Sequence, residues 1–345
     1  MRRVRIRAPG GYERLEIERD FDPGRPRAGE LLVHVEAAGV NFADSAVRMG
    51  LYSSAKEYIG WPITPGFEFA GRVAELGAGV TEFVPGAPVF GVVRFGAWSS
   101  HVVTRAQLVM PLPAGLTLEQ AAGVPTVFLT AYYPLFALTR VRAGERVLIH
   151  SAAGGVGGAL IQLAKIAGCH VVGVVGAAHK VALAHELGAD VVIDRSAHAD
   201  PWRAIDAASP GGFDVVLDAN GGPSLAESYT RVARGGRLVV YGFHTMLPKG
   251  RGRPSWPKAA HDWLLTPRFS PFRMVKENRS VLAFNLSYLF EKADVFAEAM
   301  RDIVGWLEAG RVRALPVRTF PVEQVADAQR ALESGDTTGK LVLTF

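Results

Sequence analysis

The sequence contains a single cysteine, Cys169, among its 345 residues. One thiol excludes a disulfide within the chain and a structural zinc site built from four cysteines. The cysteine lies between a helical segment and the apolar run HVVGVV, which predicts a buried thiol of low reactivity. We therefore expect no thiol chemistry in the function of this protein.

Long hydrophobic runs are also missing. No segment reaches the roughly 18 apolar residues that a membrane helix needs, and no apolar stretch follows the basic segment MRRVRIRAPGGYERLEIERD as it would in a signal peptide. The composition, with 49% hydrophobic and 21% charged residues, is ordinary for a globular enzyme. We expect a cytoplasmic protein. We also expect two domains, because the chain is longer than a single hydrophobic core usually accommodates.

A glycine-rich turn joins a strand-like segment to a helix-like one in the stretch RVLIHSAAGGVGG, Arg146–Gly158, and an apolar helix is predicted over Ala159–Ala167. This order is typical of a dinucleotide phosphate site, where small residues let backbone N–H groups and a helix N-terminus approach a diphosphate. Ala152 stands at the first glycine of G-x-G-x-x-G, and Gly154 and Gly157 stand at the other two. The residues expected at the cofactor are Ala153, Gly154, Gly155, Val156 and Gly157.

Apolar strands alternate with helical segments in the second half of the chain, as a parallel sheet requires. Up to about residue 110, short alternating runs such as LLVHVEAAGV and GRVAEL indicate a compact β-rich domain. Amphipathic helices are predicted from Val295 and from Val325, before a closing strand LVLTF. The strands predicted for the parallel sheet are Arg146–His150, His170–Val175, Val191–Asp194, Phe213–Asp218, Arg237–Tyr241 and Val281–Leu286.

A carboxylate is missing at the end of the second predicted strand. Enzymes of this layout that use NAD place an acidic residue there to bind the adenosine ribose, whereas this chain has Gly176, 19 residues beyond Gly157. Lys180 and Arg195 follow close to strand ends and are able to pair with a 2′-phosphate. The sequence therefore favours NADP(H) over NAD(H).

The segment 245–280 is a basic, aromatic insertion. It carries eight basic residues against two acidic ones, a net charge of +6, while the whole chain has +5. Two interpretations stay open: a solvated cover, or a contact surface for an anionic acyl carrier, coenzyme A tail or membrane headgroup. The basic residues are Lys249, Arg251, Arg253, Lys258, Arg268, Arg273, Lys276 and Arg279.

Several motifs resemble one known family in the same order along the chain. They are AGVNFADSAVRMGLY, PGFEFAGRVAELGAGV, HSAAGGVGGALIQLAK, VVLDANGG, GGRLVVYG and GKLVLTF. Together they resemble the zinc-free quinone oxidoreductase branch of the medium-chain dehydrogenase/reductase superfamily. Within this branch, FLTAYYPLF and NRSVLAFNLSYL are most similar to the synaptic vesicle membrane protein group related to vesicle amine transport.

The resemblance implies an α/β fold with a Rossmann dinucleotide-binding domain and a GroES-like β-rich catalytic domain. The implied bounds are 1–123 for the first part of the catalytic domain, 124–290 for the NADP-binding domain with the lobe 245–280, and 291–345 for the return to the catalytic domain. The resemblance also implies a homodimer paired through the edge strand Val281–Leu286, because an exposed apolar edge otherwise invites aggregation.

The zinc ligands of related alcohol dehydrogenases are absent. Those relatives carry a cysteine where this chain has Asn41, and a His-Glu pair where it has Phe67 and Glu68. Phenylalanine cannot bind a metal and an amide binds zinc poorly, so no metal is expected. Without a Lewis acid, the reduction of a quinone or enone is a more reasonable reaction than the oxidation of an alcohol.

By resemblance, Asn41 and Tyr52 are the expected catalytic residues. Their amide and phenol would donate hydrogen bonds to the acceptor oxygen, and Tyr52 would also supply a proton. The alternatives are that Asn41 holds a loop and that Tyr52 is a packing aromatic. The further residues that the resemblance places near the cofactor are Thr130, Asn220, Tyr241, Phe284 and Asn285.

These observations lead to an NADPH-dependent reductase of a quinone or α,β-unsaturated carbonyl compound. Two alternatives remain: an enoyl reductase acting on carrier-bound acyl chains, and a nucleotide-binding protein associated with lipid or membrane. A small-molecule substrate is expected in the first case, and an acidic carrier or an anionic membrane at the lobe in the others. No nucleic-acid partner is expected.

Overall fold

The computed structural model describes residues 1–247 and 252–345, so the predicted basic residues Lys249 and Arg251 lie outside the described residues. The strands, in chain order, are β1 (Arg2–Arg5), β2 (Glu16–Arg19), β3 (Glu30–Val40), β4 (Glu68–Leu76), β5 (Pro88–Val92), β6 (His101–Arg105), β7 (Val109–Pro111), β8 (Arg146–His150), β9 (His170–Val175), β10 (Val191–Asp194), β11 (Phe213–Asp218), β12 (Val232–Val240), β13 (Ser280–Ala283), β14 (Val317–Pro321) and β15 (Lys340–Thr344).

The α-helices of the described chain lie mostly after the first β-rich segment. They are α1 (Phe42–Arg48), α2 (Ser53–Tyr58), α3 (Leu118–Ala122), α4 (Pro125–Tyr132), α5 (Gly155–Ile166), α6 (Val181–Glu186), α7 (Pro201–Ala208), α8 (Ser224–Thr230), α9 (Trp256–Leu265), α10 (Pro271–Glu277), α11 (Ala293–Glu308) and α12 (Val325–Ser334). No helix in the described ranges is long and apolar enough to cross a membrane.

The described residues form two compact units. Unit 1 comprises residues 1–129 and 286–345 together with Gly252 and Arg253, and unit 2 comprises residues 130–247 and 254–285. Unit 1 is therefore built from both ends of the chain, whereas unit 2 lies between them in the sequence.

Unit 1 contains a seven-stranded sheet in the order β14-β15-β3-β4-β5-β7, in which β6 pairs with β3. The pairing is antiparallel except between β14 and β15. Its core includes the fully buried Val33, Phe69 and Trp98, and α12 contributes Val325 and Ala328. Most of β3 and the first half of β4 are buried on both faces, and buried and exposed residues alternate only around His34 and Val73.

Unit 2 contains a six-stranded parallel sheet in the order β10-β9-β8-β11-β12-β13. Its strands consist of near-continuous apolar residues because helices cover both faces of such a sheet. The first four predicted strands have the observed bounds, whereas β12 begins earlier and β13 is shorter than predicted. Helix α5 begins four residues earlier than predicted, since Gly155–Gly158 form its first turn.

The basic segment 245–280 contains the helices α9 and α10 in unit 2. Helix α9 is held to the segment before it, because Lys258 donates a hydrogen bond to the Thr245 carbonyl. Lys258 also pairs with Asp262 one turn along the same helix. Large apolar side chains of both helices are exposed. They are Trp256, Trp263, Leu264, Leu265, Phe272 and Val275.

Candidate active site

The predicted cofactor residues of unit 2 lie mainly at the carboxyl edge of its parallel sheet. The strand order reverses between β8 and β11, and open α/β sheets bind ligands at such a switch point. The loops after these two strands are joined here, since the Ser151 hydroxyl contacts Asn220 Oδ1 at 3.4 Å. The sheet thus brings the glycine-rich turn and Asn220 together.

The glycine-rich turn after β8 is tightly closed. Ser151 has a positive φ of 56°, and its carbonyl accepts the Gly154 N–H at 3.0 Å. A Cβ on Gly157 would lie 2.2 Å from the Ser151 carbonyl oxygen, so a side chain there would force the turn open. The first backbone N–H groups of a helix have no partner within it, and the turn places those of α5 directly after β8.

The methyl group of Ala152 is accommodated by a glycine on the next strand. A Cβ on Gly173 would lie 2.9 Å from the Ala152 Cβ. Ala152 is therefore tolerated in the turn because the residue that faces it in β9 is Gly173. Sequence reasoning missed this partner, because a glycine inside an apolar strand carries no local signal of what it faces.

Arg195 and Gly176 are neighbours at the ends of β10 and β9. Val175 pairs with Asp194, so Gly176 and Arg195 are the next residues on two adjacent parallel strands. A Cβ on Gly176 would lie 3.5 Å from Arg195 Nη2. The place of the acidic residue of NAD enzymes is therefore bordered by a guanidinium. Lys180 is largely buried just before α6.

Asp218 holds the loop that carries Asn220. Its buried carboxylate accepts the N–H groups of Asn220 at 2.7 Å and Gly221 at 3.0 Å, and the Ser228 hydroxyl at 2.7 Å. Ser228 also bonds His150 Nε2 at 3.0 Å. Burial lowers the pKa of His150, which favours the neutral imidazole at the end of β8.

Tyr241 and Phe284 extend β12 and β13 in the same way. Val240 pairs with Ala283, and the rings of the two following residues stack with centroids 6.1 Å apart. Tyr133 also packs against Phe284, with ring centroids 5.1 Å apart. Asn285 follows directly, and Thr130 lies on α4 rather than at a strand end.

Asn41 lies in a buried polar cluster of unit 1, between β3 and α1. Its Nδ2 donates to Glu68 Oε1 at 2.9 Å, and its Oδ1 accepts from Lys340 Nζ at 2.5 Å. Lys340 Nζ is also 2.7 Å from Glu68 Oε1 and 3.1 Å from the Val40 carbonyl. Glu68 Oε2 accepts the N–H of Thr126, in the first turn of α4. Every member is paired with a partner of complementary chemistry.

A second carboxylate, Asp44, lies beside this cluster on α1. It accepts the N–H groups of Asn41 at 2.8 Å and Gly66 at 2.9 Å, and it has no exposed surface. Burial raises the pKa of Asp44 to about 7, with the Glu68 charge adding to the rise, while the two N–H groups and Lys340 oppose it. Asp44 thus fixes the loop that carries Asn41.

Tyr52 occupies a different environment in unit 1. It is half-buried before α2, and its ring meets Phe67 edge-on at 5.8 Å and Phe95 at 6.4 Å. Phe67 belongs to an apolar cluster with Val47, Ile63 and Phe95. The two predicted catalytic residues are therefore placed in unit 1 by separate clusters, one polar and one aromatic.

Sequence reasoning missed the role of Lys340 and Glu68 in holding Asn41. Two weak signals existed: a lysine that opens the apolar strand LVLTF, and a glutamate enclosed by phenylalanines in GFEFAG. A charge inside an apolar run requires a buried partner. Within the described ranges, no group of three or more His, Cys, Asp or Glu side chains is arranged to hold a metal ion.

Comparison with protein families matches both units. Residues 27–114 match the alcohol dehydrogenase GroES-like domain, and residues 187–343 match the zinc-binding dehydrogenase family. The synaptic vesicle membrane protein VAT-1 homolog of Danio rerio is 32% identical over 97% of this chain and 68% of that protein. The human homolog is 31% identical over 97% of this chain and 84% of that protein.

Solved structures with the same fold include two reductases. The quinone oxidoreductase of Escherichia coli, complexed with NADPH, has a TM-score of 0.84 and 27% identity over the whole of both chains. The CurK enoyl reductase has a TM-score of 0.85 and 25% identity over 99% of this chain and 98% of that one. A mycocerosic acid synthase-like polyketide synthase of Mycobacterium tuberculosis is 33% identical over 99% of this chain, which spans 15% of that protein.

Proposed function

The chain belongs to the medium-chain dehydrogenase/reductase superfamily, close to the VAT-1 homologues and the quinone oxidoreductases, and from this we propose that it reduces a quinone or an α,β-unsaturated carbonyl compound with NADPH and without a metal. Its fold is a GroES-like domain with a Rossmann-like NADP-binding domain. We propose unit 1 as the catalytic domain and unit 2 as the cofactor domain.

The residues of unit 2 fit NADP(H). The closed turn from Ser151 to Gly157 leads directly into α5, whose first N–H groups have no partner within the helix and would bind the diphosphate. Arg195 would bind the 2′-phosphate, because its guanidinium borders Gly176 where a carboxylate would repel that group. When bound, NADPH supplies a hydride. The similar quinone oxidoreductase complexed with NADPH supports this choice of cofactor.

The cluster around Lys340 is the observation that carries the metal-free proposal. The ammonium contacts Asn41 Oδ1 at 2.5 Å and Glu68 Oε1 at 2.7 Å, so a covalently attached cation already occupies these oxygens. A divalent cation at the same oxygens would meet a positive charge in a buried place. An acceptor that needs no Lewis acid, such as a quinone or enone, suits this arrangement.

Asn41 and Tyr52 would act on the acceptor oxygen. The acceptor gains a hydride and then a proton, so its oxygen carries negative charge in the transition state. The Asn41 amide and the Tyr52 phenol would donate hydrogen bonds to that oxygen, and Tyr52 would deliver the proton. We expect Tyr52→Phe to lower kcat roughly tenfold or more, because it removes the donor but keeps the ring packing.

The decisive experiment measures cofactor binding first and turnover second. NADPH should quench tryptophan fluorescence at lower concentration than NADH, and quinones, enones and acyl thioesters are then screened for NADPH oxidation. Turnover should survive dialysis against a chelator, in protein shown by elemental analysis to hold less than stoichiometric zinc. Binding of neither nucleotide would overturn the whole proposal, and activity that chelation abolishes and zinc restores would overturn its metal-free part.

The exposed apolar surface of α9 and α10 favours a second candidate function, association with an anionic surface. Phe272 is 91% and Val275 81% exposed, and the basic residues Arg268 and Lys276 are exposed nearby in the sequence. Aromatic and aliphatic side chains flanked by cations are typical of helices that lie on anionic lipid. Alternatively, an acidic acyl carrier would bind here, which the similarity to the CurK enoyl reductase supports.

Charge reversal separates these candidates. Arg268→Glu with Lys276→Glu should abolish cosedimentation with phosphatidylserine vesicles if the surface binds lipid, and should raise KM for carrier-bound but not free acyl thioesters if it binds a carrier. Arg253 and Lys258 are poorer choices, because they already pair with Glu13 and Asp262. If the charge-reversed variant behaves as the wild type in both assays, the remaining function is reduction of a free quinone or enone.

We also propose a homodimer through β13. This strand is the edge of the six-stranded sheet and pairs with β12 on one side. An exposed strand edge is able to add a second copy of itself by antiparallel pairing. Light scattering should give about twice the chain mass of 37.0 kDa. Ala283→Pro should shift it to the monomer, because the Phe284 N–H bonds β12 and the N–H of the preceding residue therefore faces the free edge. A monomeric wild-type protein at working concentration would contradict this.

A further inference from the structure

The Asn41 amide has its orientation set by two charged groups of opposite sign. Lys340 Nζ is a donor without lone pairs, and it contacts Oδ1 at 2.5 Å. Glu68 Oε1 is an acceptor, and it receives a hydrogen from Nδ2 at 2.9 Å. A flipped amide would put NH₂ against the ammonium and oxygen against the carboxylate. The amide therefore has one favourable orientation, which leaves the second N–H of Nδ2 for another acceptor.

Glycines on neighbouring segments make room for this pair. A Cβ on Gly39 would lie 2.1 Å from Glu68 Oε1, and one on Gly123 would lie 2.9 Å from Lys340 Cγ. The Lys340 and Glu68 side chains are 3% and 0% exposed, so water does not loosen their contacts. An ion pair removed from water is costly to assemble, and this one is held by four further hydrogen bonds to protein groups, two on each side chain.

We propose that Lys340 is a positioning residue, paired with Glu68, that orients the Asn41 amide so that its second N–H is directed to the acceptor oxygen. This inference rests on the proposed reductase function, and it adds to it the residue that makes an otherwise weak amide donor effective. Lys340 acts through Asn41 and touches neither substrate nor cofactor. A donor that is already oriented pays no reorganisation cost when charge develops on the acceptor.

The test is a double-mutant cycle on a neutral replacement of the pair. Lys340→Met with Glu68→Gln removes both charges together, so that neither is left buried without its partner. We expect this double variant to lower kcat for an enone about 10- to 100-fold, less than or equal to the 10²–10³-fold seen when an oxyanion donor is removed. The primary isotope effect with deuterated NADPH should rise, while the Kd of NADPH should stay within about threefold of wild type.

The cycle is closed in the Asn41→Ala background. If Lys340 acts through Asn41, the same pair replacement should lower kcat less than about threefold once the amide is gone. Equal losses in both backgrounds would overturn the proposal, since they would show that the pair does not work through the amide. A wild-type kcat in Asn41→Ala alone would instead contradict the proposed role of Asn41 in the reaction, and the orienting role with it.

A matched control removes a different buried pair from the same unit. Arg48 and Glu333 are 0% and 1% exposed and contact each other at 2.5 Å, and Arg48 lies at the opposite end of α1 from Asn41. Arg48→Met with Glu333→Gln should lower thermal stability comparably, yet leave kcat per folded molecule unchanged. A similar loss of kcat in this control would assign the effect to general destabilisation and overturn the orienting role.

A measurement on the wild-type protein serves if the Lys340 variant does not fold. The Asn41 side-chain NH₂ group should be as rigid as the ordered backbone, with a ¹⁵N order parameter S² of about 0.85. An order parameter below about 0.6 would show that the amide reorients and would overturn the proposal.

Discussion

Arg195 Nη2 lies 3.5 Å from the place where a Cβ on Gly176 would stand, at the adjoining ends of two parallel strands. The distance follows from the pairing of Val175 with Asp194, because each of the two residues is the next in its strand. A side chain at position 176 would therefore meet the guanidinium directly. This contact makes cofactor preference testable with single substitutions.

Arg195→Ala should weaken NADPH binding by about 10- to 100-fold and leave NADH binding almost unchanged, since a charge-assisted hydrogen bond is worth roughly 1.5–3 kcal/mol. Gly176→Asp should act in the same direction, because its carboxylate would pair with Arg195. Fluorescence titration with both nucleotides measures the ratio. Arg203→Ala is the control, as this residue is exposed on α7 and pairs with Asp200. An unchanged ratio in Arg195→Ala would place the 2′-phosphate elsewhere.

Gly173→Ala should destabilise the protein by about 1–3 kcal/mol, because the new methyl group would lie 2.9 Å from Ala152 Cβ in a packed sheet. Adding Ala152→Gly should restore most of the loss, since it removes the other methyl group. Urea unfolding of the three variants measures this coupling. Independent effects of the two substitutions would show that the methyl groups do not compete.

Asp44 should make stability fall as the pH rises. Its pKa of about 7 in the folded protein exceeds the ordinary 3.8, so the folded state binds more protons between these values. Asp44 therefore contributes at most roughly 4 kcal/mol to the free energy of unfolding. This contribution is fully present below about pH 4 and is lost as the pH rises past 7. Chemical unfolding at pH 5 and pH 8 should show this decline, and Asp44→Asn should flatten it. Parallel pH profiles for both proteins would contradict the assignment.

Cys169 should resist thiol reagents in the native protein. Burial raises the pKa of its thiol to about 11, with the Glu145 charge adding to the rise. At pH 8 only about one thiol in a thousand is then ionised, and the thiolate is the reactive form. An aromatic disulfide reagent should label no thiol in the native state and one per chain in denaturant. Fast labelling of the native protein would show that the cysteine is accessible.

The parallel sheet was largely predictable from sequence, and the polar cluster of unit 1 was not. Segments such as RVLIH and HVVGVV carry their own strand signal, because each is apolar and bounded by glycine or charge. Lys340 carries no such signal, since its partner Asn41 is 299 positions away and the contact depends on how β15 joins β3. Arg195 lies between these cases. Its charge alone suggested a contact with a 2′-phosphate, whereas its position beside Gly176 depends on the pairing of β9 with β10.

The separation of Asn41 and Lys340 also sets an order of events in biosynthesis. The segment with β3, β4 and α1 leaves the ribosome long before residue 340 is made, and until then Glu68 has no ammonium to neutralise it. An uncompensated carboxylate disfavours burial, so the nascent sheet stays incomplete until β15 arrives. A chain interrupted before residue 340 would thus present an open β3 edge to chaperones and proteases, and cells would remove it rather than accumulate a partly active fragment.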